Sequence, residues 1–213
     1  MANPGPVTEA TESSLSRLRL WGGTLFFFSG LTGLIYEILW TRRLNLIFGH
    51  SILAVSTVVT AYMGGLALCS ALGGRWADKH LSRGQQASWF LATYGRLEGL
   101  VGLWAFLSLP LLGLVESLYL SMAARGVQGT SLYLVAFAAS LLVLVPPTTA
   151  MGATLPVVSC LYNSDSQGVG RNLSRLYSTN TFGAVVGVAL AGFGLLPVLG
   201  LKVSVALAGL LNL

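Results

Sequence analysis

Apolar runs of about twenty residues recur along this chain, and they leave few folds open to it. Leu20–Trp40, Ser51–Leu72, Ala87–Leu109 and Leu176–Leu199 each reach the length that crosses a hydrocarbon core roughly 30 Å thick. Ser131–Leu161 is uncharged and too long for one straight span. A further run starts at Val203 and reaches Leu213, the last residue, after about half a span. Backbone N–H and C=O groups in lipid must pair within their own segment, so such runs form helices. The expected fold is all-α: an integral membrane bundle of about six transmembrane helices. The sequence ends within the sixth, so the chain reads as part of a longer polypeptide. Residues 1–18, rich in Pro, Ser and Thr, read as a disordered cytoplasmic N-terminus, and residues 19–213 as one membrane domain.

Composition agrees. Charged residues make up 9% of the chain, against roughly 25% in soluble domains. The 26 glycines suit helices that approach closely in lipid. The net charge of +5 reads as orientation signal and attraction to anionic lipid, not as a nucleic-acid surface. Cys69 and Cys160 lie in apolar runs and form no disulfide framework. His50 and His80 are too far apart in sequence to argue a metal site, and no cofactor motif is present.

Lys and Arg set the expected orientation. Arg17, Arg19, Arg75, Lys79, Arg83, Arg171 and Arg175 fall on one side; Arg42, Arg43, Arg125 and Lys202 fall on the other. The richer side is expected in the cytoplasm, with the N-terminus. Both cysteines then lie near cytoplasmic helix ends and stay reduced.

Ionisable residues inside apolar runs are costly and are functional candidates by default. Glu37 ends the first run, beside Tyr36. Arg96 and Glu98 sit near the middle of the third, beside Tyr94. Two residues apart, Arg96 and Glu98 do not face each other, so each needs another partner. Rise per residue separates Glu37 and Arg96 by roughly 15 Å in depth. Glu37, Glu98 and the nearby tyrosines read either as a cation or proton site or as buried pairs that fix helix register.

Four other motifs stand out. Gly183-x-x-x-Gly187-x-x-x-Ala191 is a small-residue strip for close helix packing, and Ala61, Gly65 and Cys69 form a similar one. Pro146, Pro147 and Pro156 interrupt the fourth run, where Thr148 or Thr149 can satisfy freed backbone; the break reads as a passive kink or as cavity lining. Pro110–Thr130 reads as an interfacial amphipathic helix or as a continuation of the third helix. Trp21, Phe26–Phe28, Trp40, Trp89, Phe90 and Trp104 cluster toward helix ends as interfacial belts.

The segment Gly73-Gly74-Arg75-Trp76-Ala77-Asp78-Lys79 reads as a loop after the second helix. Its Gly74, Asp78 and Lys79 resemble the cytoplasmic latch of major facilitator transporters; the plainer reading is a turn with anchoring charges.

Longer segments carry a second resemblance. Ser29-Gly-Leu-Thr-Gly-Leu-Ile-Tyr36-Glu37-Ile-Leu-Trp40-Thr-Arg42 is followed by Ser56-Thr-Val-Val-Thr-Ala-Tyr62-Met-Gly-Gly-Leu-Ala-Leu. Then come Pro147-Thr-Thr-Ala-Met151-Gly-Ala-Thr-Leu-Pro156, Gly170-Arg-Asn-Leu-Ser-Arg-Leu-Tyr177-Ser-Thr-Asn180-Thr-Phe-Gly183-Ala and Leu195-Leu-Pro197-Val-Leu-Gly200-Leu. In this order they resemble a bacterial family of membrane-fused spermidine synthase-like proteins. There a transporter-like membrane part precedes a soluble aminopropyltransferase-like domain. The resemblance implies half of a major facilitator fold in the bacterial inner membrane, anchoring a cytoplasmic enzyme domain. No Gly-rich strand–turn–helix and no acidic polyamine loop of that enzyme lies in these 213 residues, so its catalytic activity does not carry over and no catalytic residue is assigned. A cationic amine would then be drawn by Glu37 and Glu98, with Tyr36, Tyr94, Arg96 and Asn180 around it. The rival readings are an accessory subunit packed on partner membrane subunits, or a small transporter acting as a dimer.

Overall fold

In the computed structural model, which describes residues 6–49, 51–162 and 169–213, long helices dominate and no strand forms among the described residues. The helices are α1 (Pro6–Phe48), α2 (Ser51–Leu81), α3 (Ala87–Ala124), α4 (Thr130–Ser159), α5 (Val169–Ala189) and α6 (Leu196–Asn212). A 3-10 turn, Cys160–Tyr162, follows α4, and a π-helical stretch, Leu190–Leu195, joins α5 to α6. Among the described residues five helical runs are long and apolar enough to cross a membrane, the last being Gly170–Asn212. The chain is a helical membrane protein.

Several elements outrun the apolar pattern that predicts them. The helical backbone of α1 starts at Pro6, so residues 6–18 of the expected disordered tail are helical, and residues 1–5 lie outside the described set. Proline suits a first helical turn, and extending a helix needs no new nucleus. The presumed loop Gly73–Lys79 is likewise the last part of α2, and the turn comes only at Ser82–Gln86. Of the two readings of Pro110–Thr130, the structure takes the continuation: α3 passes through Pro110 unbroken to Ala124. α4 also runs through Pro146, Pro147 and Pro156 without a break.

The Gly170–Asn212 run is interrupted instead. Pro197 offers no N–H to the Phe193 carbonyl, and the wider π turns lie just before it. Gly200 then takes φ 71°, ψ 176°, a conformation open to glycine, and the axis kinks there.

α1 touches every other helix. Tyr36, Leu39, Leu44, Ala105, Leu112, Leu144 and Ala191 are fully buried around it. A second cluster, with Phe26, Phe90, Tyr94, Val158 and Leu176, fills the end where α3 and α5 begin and α4 finishes. Phe26, Trp40 and Phe90 are therefore core residues, not the belt residues their positions predict; Trp21 is exposed. The outer faces carry Ile52, Leu142, Phe193 and Val198, each more than 70% exposed. A surface this apolar fits lipid, since soluble monomers rarely show such patches.

Small residues set the closest approaches. A Cβ on Gly65 would strike the Thr148 side chain of α4, and one on Gly152 would come within 2.8 Å of the Leu66 backbone. Gly183 and Gly187 lie against the Phe27 and Leu31 carbonyls of α1, and Gly30 lies against Asn180. Backbones this near gain dispersion contacts, which hold helices together where lipid removes the hydrophobic drive.

Candidate functional site

Residues four and seven apart share a helix face, so Ser29, Gly33 and Tyr36 line one side of α1, with Glu37 at its edge. Tyr94 and Glu98 share a face of α3 in the same way. The two faces meet. The Tyr94 hydroxyl donates to the Leu25 carbonyl at 2.9 Å, and the Phe26 and Tyr94 rings sit edge to face at 6.5 Å. Glu98 is 8% exposed. The Ser29 and Tyr94 hydroxyls hydrogen-bond its carboxyl, while its Oε1 has no partner among the described residues.

Two more hydroxyls surround this carboxyl at longer range. Tyr36 and Tyr62 lie within electrostatic reach of Glu98, and Tyr62 also feels Glu37. Tyr36 is fully buried, and its Oη has no partner among the described residues. Its ring stacks on Trp40 at 5.4 Å, and Trp40 Nε1 donates to Ser108 Oγ at 3.1 Å. The Tyr62 hydroxyl faces the bare Cα of Gly33; a Cβ there would come within 2.8 Å of it. Gly33 thus leaves room for a phenol inside the bundle.

A cavity of about 230 Å³ opens between α1, α2, α4 and α5 beside this cluster, lined by Ser29, Gly30, Tyr62, Ser70, Thr154 and Asn180 among others. Ser29 belongs to both: it lines the cavity and bonds the Glu98 carboxyl. At about 30 Å³ per water, the volume equals roughly eight waters. Drug-sized ligands occupy pockets of about 300 Å³ and more, so a small or slender ligand fits here.

The structure brings some of the expected residues together and separates others. Tyr36, Tyr94 and Glu98 converge as described. Asn180 lines the cavity, and its Nδ2 donates to the Phe26 carbonyl at 2.9 Å. Glu37 is half-buried and forms no ion pair among the described residues. Arg96 does not join the site: it is exposed on the opposite face of α3 and unpaired among the described residues. Steps of about 100° per residue turn it roughly 200° from Glu98. The ion pair that does form is Arg43–Glu116 at 2.7 Å, joining the far ends of α1 and α3. In the latch motif, Gly74 has open space beside it, and Asp78 and Lys79 are exposed on the last turns of α2. Asp78 does reach Cys160 electrostatically; burial first, and that charge second, push the Cys160 thiol up to about 11. His50 lies outside the described residues, and among those described no three His, Cys, Asp or Glu gather to hold a metal.

Sequence reasoning missed Ser29, Gly33 and Tyr62 as site residues. A signal was present. Ser29, Gly30 and Gly33 are small residues on one side of α1, and Tyr62 is the lone tyrosine of α2. No family model matches the chain, nor does any curated protein or solved structure.

Proposed function

We propose that this chain is a transporter-like membrane domain that binds a small cation, a protonated amine or a proton, at Glu98. The observation that carries this is the Oε1 of a buried carboxyl, without a partner among the described residues, next to a cavity that Ser29 and Tyr62 line. A buried anion needs a partner, and no Lys or Arg pairs with Glu98 among the described residues. A ligand ammonium placed in the cavity would supply that charge and donate hydrogen bonds to the Ser29 and Tyr62 hydroxyl oxygens. Tyr94 adds a proton-linked element. A phenol has one proton, so Tyr94 can donate to Leu25 or to the carboxylate, but not to both. When Glu98 carries a proton it donates to Tyr94, and Tyr94 keeps its bond to Leu25. When Glu98 loses that proton, Tyr94 turns to the carboxylate.

In this reading the kink at Gly200 divides the last apolar run, giving six helices like half of a major facilitator bundle. The domain is the membrane part of a spermidine synthase-like protein and anchors a cytoplasmic enzyme domain in the bacterial inner membrane. The test is binding of radiolabelled spermidine and putrescine to the purified chain in nanodiscs, between pH 6 and 9. Wild type should bind at least one of them. Glu98→Gln should abolish binding while the thermal melt stays within a few degrees, and Glu98→Asp should retain part of it. Wild type that binds neither amine and takes up no proton, or Glu98→Gln that binds as wild type does, overturns the proposal.

A second reading, an accessory subunit of a larger assembly, is favoured by one observation. The Gly170–Asn212 run is the least covered of the spans: Phe182, Phe193 and Val198 are exposed, and Gly192 and Gly194 have open space beside them. A photo-crosslinker at Phe193 in native membranes separates the two. A single protein adduct supports the subunit, and lipid adducts alone count against it.

A further inference from the structure

A second cavity lies away from Glu98, between the far ends of α1 and α3 and the part of α6 beyond Gly200. Its volume is about 650 Å³. Phe106, Leu109, Pro110, Leu201, Val205 and Ala206 form its walls, and Arg43 and Lys202 are its charged residues. Arg43 Nη2 donates to Glu116 at 2.7 Å. A guanidinium has five N–H donors, so with this one hydrogen bond among the described residues others are left for a ligand. Lys202 is exposed and pairs with no carboxylate among the described residues. It stands in the first turn after the Gly200 break, at the positive end of that segment's dipole. With Glu116 counted against Arg43, one net positive charge remains at this mouth.

The geometry also fixes depth. Arg96 and Glu116 are polar positions twenty residues apart on α3, which places them roughly 30 Å apart along the axis. That is the thickness of a hydrocarbon core. Glu116 and Arg43 therefore mark one face of the bilayer. From Glu116 down to Phe106 is about 15 Å by rise per residue, or one leaflet. The cavity is cationic at the headgroup level and apolar through the leaflet below, which is the polarity profile of a phospholipid. A soluble anion would use the rim and leave the walls unused.

We propose that this cavity binds one anionic phospholipid, its phosphate between Arg43 and Lys202 and an acyl chain along Phe106, Leu109, Pro110 and Val205. Basic pockets between membrane helices recognise phospholipid headgroups by this combination. The proposal stands independently of any ligand at Glu98.

The test is native mass spectrometry of the full chain in detergent, titrated with phosphatidylglycerol, phosphatidylcholine or glycerol 1-phosphate. Wild type should retain one phosphatidylglycerol, bind phosphatidylcholine at least tenfold more weakly, and show no adduct with glycerol phosphate. Lys202→Ala should lower phosphatidylglycerol affinity about tenfold, and Lys202→Arg should restore it. Arg43→Gln leaves Glu116 unpaired and can cost the fold, so the paired change Arg43→Gln with Glu116→Gln replaces it, again with about tenfold loss. Ala206→Phe should displace the lipid while leaving every charge in place. Equal retention of the two lipids, glycerol phosphate bound as tightly as the lipid, or unchanged affinity in Lys202→Ala overturns the proposal.

Discussion

A proline within a membrane helix leaves the carbonyl four residues back without its N–H, and in lipid that carbonyl needs another donor. Pro147 does this to Val143, and the indole of Trp104 on α3 donates to the Val143 carbonyl at 2.9 Å. Trp104→Phe should therefore orphan a buried acceptor and lower stability by about 1–3 kcal/mol. In a Pro147→Ala background residue 147 supplies its own N–H, so the same change should cost markedly less. Thermal melts of the four proteins in one detergent check this; equal costs in both backgrounds would mean that the indole serves packing alone. Cys160 gives a second residue-scale expectation. With its thiol pushed up to about 11, about one in a thousand is thiolate at pH 8. N-ethylmaleimide labelling in a Cys69→Ser background should rise about tenfold per pH unit from 7 to 10, and faster labelling is expected for Asp78→Asn at each pH. A rate that levels off below pH 9 would refute the shift. Cost made Glu98 legible in the sequence, because few carboxyls are tolerated in an apolar run. Its surroundings were less legible: a small residue such as Ser29 and a single tyrosine such as Tyr62 mark a helix face, but which helices bring them to Glu98 shows only once α1, α2 and α3 are assembled.

At the scale of elements, composition predicts spans well and ends poorly. Hydropathy stops at Leu72, yet α2 runs to Leu81. Trp76, His80 and Trp89 explain why: the Trp76 and His80 rings lie 4.3 Å apart on the last turns of α2, and the Trp89 ring stacks on both, at 5.4 Å and 5.0 Å, from the start of α3. Such stacking between residues on separate helices leaves no mark in a hydropathy profile. Small-residue spacing is a better guide. Gly187 meets the Leu31 backbone, whereas Gly192, only five residues on, has open space beside it. Gly187→Leu should force α1 and α5 apart and cost about 1–3 kcal/mol as overpacking. Gly192→Leu should leave the melt in detergent nearly unchanged. If the two substitutions behave alike, α1 and α5 are not in backbone contact at this level.

For the whole molecule, two features place it in the bilayer without reference to any ligand. The first is charge bias: Arg75, Lys79, Arg83, Arg171 and Arg175 lie at the end of the bundle where α3 begins, and all five are exposed there. That end is expected in the cytoplasm. In a background without Cys69 and Cys160, Lys79→Cys should escape an impermeant thiol reagent in intact cells and react after lysis. The second is the spacing of Arg96 and Glu116 on α3, whose roughly 30 Å matches a hydrocarbon core. Leu100, Leu107 and Leu114 are all exposed on this helix, so each can carry a nitroxide without disturbing the core. Leu107 stands nearest the midpoint of the two charged residues. A label there should show the highest accessibility to oxygen and the lowest to a water-soluble nickel complex. Labels at Leu100 and Leu114 should be shallower by about 10 Å, on opposite sides. The exposed Arg96 would then reach the headgroups by extending its side chain, while Glu98, only two residues on, stays inside the bundle. If Leu100 is instead the deepest of the three, Arg96 lies within the hydrocarbon. It must then face a partner, and the leaflet assignment of the cavity at Arg43 and Lys202 fails with it.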